Sequence, residues 1–346
     1  MNVSKQLINW YTDNKRDLPW RNSTNPYFIW LSEIILQQTQ VVQGLPYYHS
    51  FTTNFPTVFD LANAEEQEVL KLWQGLGYYS RARNLHASAK YIVNELEGHF
   101  PDTFDEILKL KGVGDYTASA IASICFNQVT AVVDGNVYRA LSRIYGIDTP
   151  INTGKGFKEF KALAQQLIDI KQPATFNQAI MEFGARLCKP KNPDCDTCPF
   201  NTKCVALQKN RVGDLPVKLK TAKVTKKYFN FIVVVSQDHK TILEQRQGSG
   251  IWQNLYQFPL IETLKDTTHS SIEKEISKLE VLNDTSFELS LYNEKVIVHK
   301  LSHQHLYTKF WVVTTVASLP QGISIDAIQD YPVPILIGNF IENFNF

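Results

Sequence analysis

The sequence predicts two folds in succession: a mainly α region from residue 4 to about 205, then an α+β domain from about 228 to 340. Three observations carry this. Apolar residues recur at helical spacing through much of the first region. A basic stretch then interrupts the pattern. Beyond it, runs of β-branched and aromatic residues take over. A chain of 346 residues is long enough for two such domains.

In order, the helical periodicity covers Ile29–Val42, Arg81–Leu96, Tyr116–Phe126, Val137–Tyr145, Phe157–Ile170 and Ala174–Leu187, with a shorter piece near Asp105–Leu108. Turn chemistry separates them: Asn25-Pro26, Gly98-His-Phe-Pro101, Lys111-Gly112, Asp148-Thr-Pro150 and Lys171-Gln-Pro173. Ser80 and Thr103 suit N-caps, because their hydroxyls can accept from the free N–H groups of a first turn. The later strands are Tyr228–Ser236, Thr241–Gln245, Lys295–His299 and Thr308–Thr315, with a helix over Ser270–Leu282.

No run of eighteen apolar residues is present, so no membrane span is expected. The start, Met-Asn-Val-Ser-Lys-Gln, lacks the apolar core of a signal peptide. Five cysteines, an odd count, argue against a disulfide framework and for a reducing cytoplasm. The net charge of +1 conceals a basic run, Lys209, Arg211, Lys218, Lys220, Lys223, Lys226 and Lys227, in which Asp214 is the only acid. It reads as a solvated linker or as a strap lying against phosphates.

Four cysteines, Cys188, Cys195, Cys198 and Cys204, stand at C-x6-C-x2-C-x5-C. Four thiolates so close could hold zinc or a four-iron cluster. Only one C-x2-C pair exists and prolines stiffen the loop, so the spacing favours iron–sulphur over a zinc finger. Cys125 lies on an apolar helix face and reads as core. Leu110-Lys-Gly-Val-Gly114 follows a helix and opens the next, with Gly112 and Gly114 flanking Val113. Such a turn can aim backbone N–H groups at a phosphate while the valine plugs inward. Asp115 beside it would repel phosphate unless it is turned away or caps the helix.

Two carboxylates suit glycosidic-bond chemistry, which needs one acid held protonated and one carboxylate held charged. Glu33 sits among Ile29, Trp30, Ile34 and Leu36, where desolvation raises its pKa; otherwise it is a surface glutamate. Asp134 precedes Gly135-Asn136 where a helix opens, and N-terminal N–H groups would keep it ionised. It could equally be an ordinary cap, and the two roles are compatible.

These residues, with Leu18-Pro-Trp-Arg21, Trp30–Val42, Leu72–His86, Val133-Asp-Gly-Asn-Val137 and Phe176–Ala185, make the chain closely resemble the MutY family of adenine DNA glycosylases, within the helix–hairpin–helix superfamily. The resemblance implies a six-helix barrel over about 25–132 and an iron–sulphur lobe from 1–24 and 133–208, its cofactor a [4Fe–4S] cluster on the four cysteines. A basic linker over 209–227 and a Nudix-like domain over 228–346 would follow. It implies an enzyme that flips adenine out of duplex DNA opposite 8-oxoguanine or guanine and removes it by base excision repair. Glu33 would protonate adenine N7 and Asp134 would stabilise the C1′ cation, with Tyr116 and Asn136 beside them. Arg21 would help hold the base, and Gln38 and Tyr78 would fill the space at the lesion. The hairpin Gly112, Val113 and Gly114 would hold the backbone. Ser302 and His303, in Leu301-Ser-His-Gln-His305, would read 8-oxoguanine, although Leu301 replaces the family's usual phenylalanine. Strand-cleaving relatives carry lysine where this chain has Tyr116, so base removal without strand scission is expected. The Nudix hydrolase signature is missing from the sequence, and the connector has no cysteine after Cys204 for zinc. The resemblance further implies a nucleoid-associated monomer in the cytoplasm with no membrane partner. The rivals are a strand-cleaving pyrimidine glycosylase and a non-catalytic mismatch binder.

Overall fold

The computed structural model describes residues 2–220, 224–279, 282 and 285–346; Lys223 of the basic run and positions 280–281 of the expected helix Ser270–Leu282 lie outside them. The chain forms two compact units. One contains Met1–Asn63 and Asn84–Lys220, and the other contains Ala64–Arg83 and Thr221–Phe346. Twenty residues from within the helical region therefore pack with the C-terminal domain.

The helical region comprises α1 (Val3–Asn14), α2 (Pro26–Leu36), α3 (Val41–Asn54), α4 (Val58–Asn63), α5 (Glu66–Leu72), α6 (Ser80–Glu95), α7 (Phe104–Ile107), α8 (Asp115–Phe126), α9 (Gly135–Tyr145), α10 (Gly154–Leu167), α11 (Pro173–Arg186) and α12 (Val205–Gln208). Polar side chains start several of them: Asn25 accepts from Tyr27 N, Thr103 from Glu106 N and Thr153 from Gly156 N. Ser80, expected as a cap, is instead the first residue of α6. The stretch expected as one helix over Ile29–Val42 is two. Gln37–Gln40 offers no apolar face to bury, α2 stops at Leu36, and Gln38 turns the chain with φ +56° before α3 begins.

In the first unit, α11 is the central post, packed against α1, α8 and α9. Leu7, Val137, Leu141, Phe160, Phe176 and Phe183 meet in its core, all essentially without solvent exposure. Residues 129–132 run outside any helix, from exposed Val129 to buried Ala131 and Val132, and side chains satisfy their backbone. Gln165 accepts from Ala131 N and donates to Val129 O, while Asn177 accepts from Val132 N and donates to Thr130 O. This segment leads straight into Asp134.

The second unit contains β1 (Thr225–Ser236), β2 (Lys240–Thr241), β3 (Glu244–Gln245), β4 (Tyr256–Gln257), β5 (Leu260–Thr263), α13 (His269–Ile276), β6 (Phe287–Leu291), β7 (Ile297–Lys300), β8 (Gln304–Thr315), β9 (Ile323–Ser324) and α14 (Ile335–Asn343). β1 runs parallel to β8 along their whole lengths, from Thr225 beside Gln304 to Ser236 beside Thr315. Antiparallel β5 extends the sheet beyond β1, and β6 and β7 both pair with β8. Ile272 and Ile276 of α13 pack with Ile232, Val234, Trp311 and Val313. The single strand expected over Thr241–Gln245 is split, β2 pairing with β9 and β3 with β4.

The helical region followed by an α+β region thus agrees with the class read from sequence. The iron–sulphur lobe within that class does not: among the described residues, no group of three or more His, Cys, Asp or Glu side chains could hold a metal ion.

Candidate active site

Glu33 projects from the last turns of α2 and is buried. Burial pushes its carboxyl up to about 7, helped by the nearby Asp134 charge and opposed by a hydrogen bond with Tyr116 and by Arg21. Tyr116, in the first turn of α8, feels both carboxylates and is held well above the ordinary phenol range, chiefly by burial. Its hydroxyl also lies 3.2 Å from Met181 Sδ. A phenol has one hydrogen. It donates to Glu33 when that group is ionised; when Glu33 carries the proton, the acid can donate to the phenol and the phenol to sulphur.

Asp134 caps α9. Its Oδ1 accepts from the backbone N–H of Asn136 at 2.9 Å and of Val137 at 2.8 Å, and its Oδ2 accepts from Asn136 Nδ2 at 2.7 Å. The sequence suggested that these donors would hold the group ionised. Burial nevertheless moves its pKa upward, against the pull of Val137, Asn136 and Arg139. Both oxygens remain acceptors for N–H donors, which favours the carboxylate form. Arg139 orients this arrangement, with Nη2 reaching Asn136 Oδ1 and Gly184 O at 2.7 Å each. A Cβ at Gly184 would stand 2.6 Å from Asn136 O, so glycine lets α11 approach α9 here.

Arg21 is held by a residue that sequence reasoning did not single out. Glu182, fully buried on α11, accepts from Arg21 Nη2 at 2.7 Å and takes a bidentate bond from Arg16 at 2.8 and 2.7 Å. Burial raises its pKa, but the two guanidinium groups prevail and bring it down to about 2. Arg21 also lies 5.4 Å over the Tyr11 ring, whose hydroxyl donates to Gln178. The one signal for Glu182 in the sequence was a lone acid in the otherwise apolar Ile180-Met-Glu-Phe183.

The hairpin places Gly112 at φ +79°, where a Cβ would also press on Asn84 at 2.9 Å. Val113 is buried and Gly114 caps α8 with open space on its Cβ side. Gln37 donates to Gly112 O. Asp115 is turned onto Lys161 at 2.6 Å. Gln38 occupies the left-handed turn after α2. In the second unit, Tyr78 takes φ +48° and its hydroxyl bonds Ser302 Oγ at 2.7 Å. His303, next along, gives its carbonyl to Thr225.

The four cysteines line one cavity with Arg143, Phe183 and Leu207. They are free thiols. Burial pushes up Cys188 and Cys195, and Cys198 to about 11, so these sulphurs hold their protons near neutrality. Cys204 donates its S–H to Arg143 O. Because no metal-holding group exists among the described residues, the [4Fe–4S] cofactor and the metal-ligand role expected for Cys188, Cys195, Cys198 and Cys204 are overturned. The loop is instead tied by Arg143, which donates to Lys189 O, Pro190 O and Leu215 O.

Residues 31–166 match a family described as HhH-GPD superfamily base excision DNA repair protein, and residues 230–343 match the NUDIX domain. The adenine DNA glycosylase of Buchnera aphidicola subsp. Baizongia pistaciae is 35% identical over 315 residues, covering 90% of this chain and 86% of its own. The chain belongs to the adenine DNA glycosylase family. The mouse member is 46% identical over 218 residues, 60% of this chain and 42% of its own. A solved thermostable thymine-DNA glycosylase is 28% identical with a TM-score of 0.56, covering 60% of this chain and 95% of that one. This glycosylase is accordingly an enzyme of base excision repair. Its HhH-GPD match spans Glu33, Gln38, Tyr78, the hairpin, Tyr116, Asp134 and Asn136. Arg21, Glu182 and the four clustered cysteines fall outside it, and Ser302 and His303 lie within the NUDIX match.

Proposed function

We propose that this glycosylase removes adenine mispaired with 8-oxoguanine, or with guanine, from double-stranded DNA and leaves the strand intact. The reading rests on one observation: Glu33 and Asp134 converge on Tyr116, with Glu33 retaining a proton up to about pH 7. The relatives that share nearly the whole chain are named for adenine.

In this reading the hairpin Gly112–Gly114 grips a phosphate and the adenine nucleotide turns out of the stack. Arg21, pinned by Glu182, meets the base. Glu33 gives its proton to adenine N7 and the C1′–N9 bond breaks toward the base. Asp134 faces the positive charge left on the sugar. Water adds at C1′, its proton returns to Glu33, and the products are free adenine and an abasic site. Asn136 and Arg139 hold Asp134 in place. Tyr116 has no amine to condense with the sugar, so no Schiff base forms. Gln38 and Tyr78 fill the space at the mispair, and Ser302 and His303 meet the damaged guanine. The protein acts as a monomer.

The test is a panel of duplexes carrying A, C, G or T opposite 8-oxoguanine, each incubated with protein and then heated in alkali. Breakage confined to the adenine strand, needing alkali, is expected. Release of a pyrimidine instead, or borohydride trapping of protein on DNA at the level of turnover, would refute the proposal.

A further inference from the structure

Lys161, on α10, uses all three ammonium hydrogens on two segments, α8 and the run into Asp134. Nζ donates to Asp115 Oδ1 at 2.6 Å, Ser119 Oγ at 2.9 Å and Ala131 O at 2.7 Å. Asp115 is the first residue of α8, directly after the hairpin glycine Gly114. Ala131 lies three residues before Asp134, in the segment that has no strand partner and relies on side chains for its backbone bonds. The Lys161 and Asp115 side chains are only about a fifth and a third exposed (21% and 31%), so their attraction is partly shielded from salt. The ammonium also stands 5.6 Å over the Phe104 ring of α7, the helix that enters the hairpin.

Asp115 is a liability where it stands. A free carboxylate at the start of α8 would oppose any phosphate drawn to that helix end. Lys161 cancels this charge and, with its other two hydrogens, fixes α8 and the run into Asp134. We infer that Lys161 is a positioning residue that joins the DNA-gripping hairpin to the strand of chain carrying Asp134, and that it makes Asp115 tolerable to DNA. This rests on the reading of the hairpin as a phosphate cradle.

The experiment measures two quantities separately, affinity for a duplex carrying an uncleavable adenine analogue and the single-turnover rate at saturating protein. The variants are Lys161→Met, Asp115→Asn, Asp115→Lys and the Asp115→Asn/Lys161→Met pair. Lys161→Met should weaken binding about tenfold through the exposed Asp115 charge and should slow the saturated rate. The pair should regain binding and keep the slow rate, because Lys161, and not Asp115, holds the Ala131 carbonyl. Asp115→Asn alone should bind at least as tightly as the parent at an unchanged rate, and it stays informative if Lys161→Met fails to fold. A pair that binds as weakly as Lys161→Met, or a Lys161→Met protein with the parental saturated rate, overturns the inference. If neither Asp115→Asn nor Asp115→Lys alters affinity, the phosphate-cradle reading itself falls, a result distinct from a harmless Lys161→Met.

Discussion

Glu33 holds its proton because burial outweighs the hydrogen bond and the cation that favour its charge. The consequence for pH has a definite sign. Folded Glu33 releases its proton near pH 7 and unfolded Glu33 near 4.5, so the stabilisation it gives is complete below 4.5 and lost as pH rises through about 7. That loss is of order 3 kcal/mol. Glu33→Gln removes the dependence, so it should gain stability over the parent at pH 8 relative to pH 5; urea denaturation at the two pH values measures this, and parallel curves would count against a buried acid. The same variant should abolish base release yet still bind lesion DNA, since it removes a proton and no cradle. Base release by the parent should decline above pH 7. Glu182 shows the opposite case: two arginines bring it to about 2, so its contribution is present above the ordinary glutamate pKa and fades only as pH falls toward 2.

At the scale of elements, the site depends on how closely α9 and α11 approach. Gly184 permits Arg139 to reach Gly184 O and Asn136 together. Gly184→Ala would set a Cβ 2.6 Å from a backbone oxygen that cannot swing aside. We expect a loss of about 1–3 kcal/mol together with a lower saturated rate, because Asp134 and Asn136 sit at the start of the displaced helix. Calorimetry and single-turnover kinetics check both, and a fully active, equally stable variant would mean that the contact is slack. The helices themselves were largely legible: α8 and α9 follow the periodicity of Tyr116–Phe126 and Val137–Tyr145, ending in left-handed residues at Asn127 and Gly146. The break after Leu36 was not, since Val41 and Val42 take up apolar positions again beyond the four polar residues, and the left-handed turn at Gln38 has no local signal.

At the scale of the molecule, residues 64–83 belong with the C-terminal domain although they lie inside the helical region of the chain. Glu66 accepts from Asn254, Gln74 from Val333 N, Tyr79 donates to Val333 O, and Arg83 to Gln253 O. A protein ending at residue 220 would strip this segment of those partners. Hydrogen exchange across 64–83 should therefore quicken in the truncated protein, while α9 and α11 stay protected. Unchanged exchange there would mean that the segment is held by the rest of the helical region. Among the described residues no helix is long and apolar enough to cross a membrane.

By itself the sequence determined the order of a helical and an α+β region, the hairpin turn, and the identity of an acid in an apolar helix and of a second carboxylate at a helix start. These are local matters of periodicity, turn chemistry and residue type. Tertiary structure alone decided the rest. It turned Asp115 onto Lys161, placed Glu182 behind Arg21, moved 64–83 to the other unit, and left four closely spaced cysteines as thiols among the side chains of Arg143 and Phe183. Spacing along a chain sets which groups can meet, whereas burial and the direction of each side chain set whether they do and with which charge.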